Sequence, residues 1–169
     1  IVACTTPDMF ATPQSLAALD CADAATLRLC AETVDAGMTA MFEFTAPEHR
    51  IVIAYDRPAL TLLAVRENVS GRYLAHAEVT DLAARHGVAA VTAIATGRGI
   101  DDLVDTARKA SGIEGYVIAF DDGHRLKLKT AYYALRHKAM ANLAFEKNAL
   151  ALVVENAVDD VLPLLTPNV

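Results

Sequence analysis

The stretch from residue 113 to 130 constrains this chain more than any other. It reads Ile113-Glu114-Gly115-Tyr116-Val117-Ile118-Ala119-Phe120, then Asp121-Asp122-Gly123-His124, then Arg125-Leu126-Lys127-Leu128-Lys129-Thr130. Two runs of strand-forming residues around an Asp-Gly pair specify a β-hairpin with a two-residue turn. With residues 121 and 124 facing each other, Tyr116 lies opposite Lys129 and Ile118 opposite Lys127. Alternation along each strand then puts Glu114, Tyr116, Ile118, Lys127 and Lys129 on one face. One carboxylate and two ammonium groups on a single sheet surface suit a phosphate bound beside a divalent cation. Lysines neutralise phosphate oxygens, and a carboxylate takes Mg²⁺ directly or through water. The same pattern also describes a solvated hairpin face whose Lys and Glu pair weakly.

The 169 residues carry a net charge of −6, which argues against wholesale electrostatic binding of nucleic acid. A polyanion must therefore meet a local basic patch, or basic surface from another chain. Cys4, Cys21 and Cys30 form no Cys-x-x-Cys or Cys/His cluster, so neither a zinc site nor a disulfide framework is indicated and a reducing, cytoplasmic setting is expected. No apolar run is long enough to span a membrane and no signal peptide is evident. The first residue is Ile1, so a processed or truncated remainder of a longer protein is one expectation.

Taken in order, residues 1–13 read as irregular or edge structure and 15–19 as a short helix. Residues 23–35 read as a helix capped by Asp23, with Ala24, Leu27, Cys30, Ala31 and Val34 on one face, stopped by Gly37. Residues 39–44, 50–55 and 60–66 read as strands of an antiparallel meander, in which Phe42 and Phe44 face inward and Glu43 outward. A helix over 78–86 ends at Gly87, and 88–94 reads as a strand. A helix over 101–110 has acids at its start and Arg108-Lys109 at its end, both favourable for the helix dipole. After the hairpin, helices are expected over 132–143, 145–155 and 159–165. The whole is α+β: antiparallel sheets with flanking helices, in one domain over 1–169.

Several of these segments together carry a resemblance. Residues 39–47 with Arg50-Ile51-Val52-Ile53-Ala54-Tyr55 resemble motif III of the covalent nucleotidyltransferases, in the version of phage T4 RNA ligase 1 and its relatives. Leu62-Leu63-Ala64-Val65-Arg66-Glu67-Asn68 looks like the segment that follows. Ile113-Glu114-Gly115-Tyr116-Val117 is similar to motif IV, Leu126-Lys127-Leu128-Lys129-Thr130 to motif V, and Tyr132-Tyr133-Ala134-Leu135-Arg136-His137 to the tail beyond it. The order and spacing hold from about Met38 to Leu165.

The resemblance implies an ATP-dependent RNA ligase adenylation domain. In such enzymes a lysine takes AMP from ATP, AMP passes to an RNA 5′-phosphate, and a 3′-hydroxyl displaces it. It implies that Glu43 holds the adenylate ribose, that Glu114 sits near Mg²⁺ or its water shell, and that Lys127 and Lys129 neutralise the α-phosphate. Tyr133 would support RNA joining, with Tyr132 the alternative if the register slips. Asp159, of the Asp159-Asp160 pair, would be a metal ligand, although acids at a helix start are favourable anyway. RNA ends, such as those of a nicked tRNA, would be the partner, and the cytoplasm of a host cell the setting if the protein is phage-encoded.

The family's nucleophile lies in a Lys-x-Asp-Gly motif, which these residues do not contain; their five lysines are Lys109, Lys127, Lys129, Lys138 and Lys147. The 169 residues alone are thus not expected to self-adenylylate. Either a missing front segment or a second chain supplies that lysine, or the chain is a non-catalytic nucleotide- or RNA-binding or structural module. Apolar surface left by such a segment would favour oligomers.

Overall fold

The computed structural model describes residues 12–50, 52–94, 99–120 and 122–165. Cys4, Ile51, Asp121 and most of the irregular 1–13 segment lie outside them. The chain is α+β, with two small antiparallel sheets and flanking helices. It divides into two compact units, one over 12–50 and 55–94, the other over 52–54 and 99–165.

The first unit begins with α1 (Pro13–Cys21) and α2 (Ala24–Asp35). Thr12 and Asp23 cap them by accepting hydrogen bonds from Ser15 N and Thr26 N, satisfying donors that a helix start leaves open. In α2 the buried side chains are Thr26, Leu29 and Thr33, while Leu27 and Val34 are exposed, so the buried stripe lies to one side of the expected one. Threonine is tolerated inside because the Thr33 hydroxyl donates to Cys30 O within the helix itself.

Strand β1 (Met38–Thr45) pairs with β2 (Ala59–Glu67), Phe42 opposite Leu62 and Ala40 opposite Val65. The register shifts between Met41 and Phe42, leaving Leu63 as the extra residue of a bulge. That bulge lets Leu62 and Val65, three residues apart, both face inward opposite partners that are two apart. Helix α3 (His76–His86) and α2 cover this sheet, and Leu29, Phe42, Leu62, Val65, Val79, Leu82 and Ala83 form the core. Glu32 joins α2 to α3 through Arg85 at 3.0 Å and His86 at 2.7 Å.

Two expected strands do not form. Among the described residues, 52–55 make no ladder, although Val52 is buried; a short apolar run signals burial, and a strand also needs an edge to pair with. Residues 88–94 contribute only a bridge from Ala90 to Leu62.

The second unit holds α4 (Ile100–Lys109), the hairpin of β3 (Gly115–Ala119) and β4 (Arg125–Lys129), then α5 (Ala131–Leu143), α6 (Glu146–Val154) and α7 (Val158–Leu165). Helix α5 packs against α4, α6 and α7. Among the described residues, the buried ones of this unit are Val52, Ala107, Thr130 and Tyr133. Among the described residues no helix is long and apolar enough to cross a membrane.

Candidate phosphate-binding site on the β3–β4 hairpin

The hairpin forms where the sequence places it, with its register one residue away from the expected one. Gly115 lies opposite Lys129, Tyr116 opposite Leu128, and Val117 opposite Lys127. The cause is the loop. Phe120 N donates to His124 O at 2.9 Å and Gly123 N to Phe120 O at 3.0 Å, so three positions rather than two separate the paired ends. Asp122 accepts from His124 N at 2.9 Å, and Gly123 takes φ +88°, the left-handed position such a loop requires.

A one-residue slip exchanges faces. Tyr116, Ile118 and Leu128 are half-buried on one side, and Arg125, Lys127 and Lys129 are exposed on the other, opposite Ala119, Val117 and Gly115. Tyr116 and Ile118 therefore do not share the lysine face, against the expectation from a two-residue turn.

Glu114 still reaches the lysines, because it precedes the ladder. Its Oε1 lies 2.8 Å from Lys127 Nζ and 3.6 Å from Lys129 Nζ. Both ammonium groups thus converge on a single carboxylate oxygen. Partial burial pushes the Glu114 carboxyl upward, but the Lys127 hydrogen bond and the two positive charges outweigh it and hold the group below the usual carboxylate range. Gly115 is required here by space. A Cβ would overlap the Leu128 carbonyl oxygen and stand 2.8 Å from Lys129 Cα.

Thr130 ties this corner to α5. It is fully buried, its N donates to Glu114 O, its hydroxyl donates to Ile113 O at 2.9 Å, and the same oxygen accepts from Tyr133 N at 3.1 Å. Tyr133, buried, consequently sits beside the site: Lys129 Nζ lies 4.8 Å from its ring centroid, and His137 stacks on it at 5.6 Å. Tyr132 instead meets the Arg136 guanidinium at 4.6 Å. Thr130 was not among the expected site residues. Its signal was a threonine between a strand and an apolar helical run, the pattern of a helix cap.

The remaining expected residues belong to other elements. Glu43 is exposed on β1 of the first unit, opposite Thr61, with Phe42 buried on the other face as expected. Asp159 is exposed in the first turn of α7, and the Arg136 guanidinium donates to Leu164 O and Pro163 O at the other end of that helix. Among the described residues no group of three or more His, Cys, Asp or Glu side chains stands ready to hold a metal ion.

The RNA ligase family of the T4 RNA ligase 1 type matches this chain over residues 10–133, a span covering both β1–β2 and the whole hairpin. The chain belongs to that family. It is also similar to a protein of Thermovibrio ammonificans named "Putative RNA ligase", with 26% identity over 147 residues, 83% of this chain. The chain spans 38% of that relative's length. In the RNA ligase family setting, the Glu114–Lys127–Lys129 corner and the adjoining Tyr133 are the functional site candidates.

Proposed function

We propose that this chain is the phosphate-handling part of an ATP-dependent RNA ligase that joins 5′-phosphate and 3′-hydroxyl RNA ends in repair. The observation that carries the reading is the convergence of Lys127 and Lys129 on one Glu114 oxygen. Two amines that both reach one anionic oxygen can also both reach an oxygen of a phosphate presented at the same place. As negative charge grows on the α-phosphate during adenylyl transfer, two fixed ammonium groups stabilise it. Glu114 holds the amines in position before the nucleotide arrives, and the cation–π contact of Tyr133 restrains Lys129.

ATP fits this donor set through its phosphates. Magnesium, which commonly binds through substrate phosphates and one or two carboxylates, would find Glu114 nearest, and would supply further charge neutralisation. Glu43 is proposed to contact the ribose and Asp159 to assist with metal. The nucleophilic lysine is proposed to come from sequence outside these residues or from a second chain. RNA ends, with a nicked tRNA as one candidate, are the proposed substrates.

ATP binding to this chain, followed by calorimetry, tests the reading. Lys127→Ala and Lys129→Ala should each weaken it about tenfold or more, in line with loss of a charge-assisted hydrogen bond. Unchanged affinity in both variants would refute the assignment. The second reading, a non-catalytic nucleotide- or RNA-binding module, predicts the same binding but no joining when the chain is supplemented with a segment carrying the missing lysine.

A further inference from the structure

The corrected register exposes a feature that the two lysines alone do not explain. Arg125, Lys127 and Lys129 occupy alternate positions of β4 and stand on one exposed face. Their cross-strand neighbours are Ala119, Val117 and Gly115, so a row of three cations runs beside a row of small residues. Val117 in the middle of the small row is 62% exposed. Glu114 lies at the Lys127–Lys129 end of the row.

Residues two apart on a strand are separated by about 7 Å. Successive phosphates of an extended single strand recur at a similar interval. The phosphorus atoms of a polyphosphate, joined through one bridging oxygen, sit at less than half of it. Lys127 and Lys129 meet at one Glu114 oxygen and so serve one point, and Arg125 follows Lys127 along the strand at the interval of a nucleic-acid backbone. A low ridge of glycine, valine and alanine beside it leaves room for ribose and base and offers them apolar contact.

We propose that the outer face of the β3–β4 ribbon is a track for the 5′-phosphorylated strand. The terminal phosphate adjoins the α-phosphate at Lys127, the next phosphate lies at Arg125, and sugar or base packs on Val117. The chain's overall charge of −6 makes such a local row the means by which a polyanion is held. The inference rests on the ligase reading for the identity of the terminal phosphate subsite only.

The experiment is binding of 5′-phosphorylated oligoadenylates of increasing length, from the mononucleotide upward, to the full chain across a range of salt. Affinity should rise once a second phosphate is present. Arg125→Ala should weaken the oligonucleotides roughly three- to tenfold and lower the log–log salt slope by about 0.7, while leaving the mononucleotide unchanged. Arg125→Lys should retain most of the slope, and Val117→Glu should weaken the oligonucleotides with the mononucleotide spared. Thermal melting verifies that each variant is folded. Where Arg125→Ala is not, Arg125→Lys and Val117→Glu decide. The track is overturned if affinity is independent of length, if Arg125→Ala weakens all lengths alike, or if Val117→Glu has no effect. Failure of the ligase reading looks different: Lys127→Ala then leaves mononucleotide affinity unchanged while the length-dependent effect of Arg125→Ala persists.

Discussion

Replacing Gly115 by alanine is the sharpest perturbation the hairpin offers. The added methyl group would overlap the Leu128 carbonyl oxygen and stand 2.8 Å from Lys129 Cα, whereas ordinary contact begins at 3.4 Å. Both obstacles are backbone, so no side chain can swing aside. Strand β4 must retreat by more than half an ångström, and the first casualty is the 2.9 Å hydrogen bond from Thr130 N to Glu114 O. Overpacking of this kind costs about 1–3 kcal/mol. At about 2 kcal/mol, a unit of this size should melt roughly 8–16 °C lower. Far-UV circular dichroism measures that shift, and hydrogen exchange at the Thr130 amide localises it. Gly99→Ala meets nothing within 4 Å but alters the N-cap of α4, so this comparison variant should lose no more than about 1 kcal/mol. A Gly115→Ala protein melting within about 2 °C of wild type, with Thr130 still protected, would refute the steric argument.

Other expectations follow from single contacts. Thr130→Ala removes the cap of α5 and the hydroxyl bond to Ile113 O, and should cost about 1–2 kcal/mol by chemical denaturation. Glu114 has its carboxyl held below the ordinary range in the folded protein. The stability it contributes is therefore present above the unfolded-state value and lost as pH falls through the folded one. Melting temperature followed into the acid range should show a component that Glu114→Gln abolishes. Leu62→Ala, at a fully buried core position, should lose about 2–5 kcal/mol in urea titration. Deleting Leu63 removes the extra residue and leaves Leu62 and Val65 two apart, both still inward opposite Phe42 and Ala40, so urea titration should show a smaller loss than for Leu62→Ala.

The elements legible in the sequence were those with local chemistry. Asp23 before α2 and the Asp-Gly between β3 and β4 satisfy backbone groups by their own side chains or dihedral freedom, and the acids and bases at the two ends of α4 complement its dipole. Strand alternation alone puts Phe42 and Glu43 on opposite faces. The hairpin register was missed because one acidic residue more or less in the loop is invisible to pattern, and parity magnifies that error into an exchanged face. Residues 52–55 have the composition of a strand, but whether an apolar run joins a ladder depends on a neighbouring edge, which is a property of the whole fold. The buried face of α2 differs from the expected one because two threonines are satisfied locally, Thr33 by the Cys30 carbonyl and Thr26 by the capping Asp23, and so can be buried. At the site, the lysines and Glu114 were found by charge and spacing; Gly115 and Thr130 act through space and backbone bonds, which residue type alone does not announce.

The placement of Tyr133 has a practical corollary. The chain has no tryptophan and five tyrosines, so its near-ultraviolet absorption is set by phenol rings. One of those rings is buried and has an ammonium group resting 4.8 Å from its centre. A ligand that draws Lys129 away removes a cation from that π-cloud, and the transition energy of the chromophore shifts with it. Occupancy of the hairpin can thus be followed by difference spectroscopy of the unlabelled protein, with Tyr133→Phe as the spectral blank.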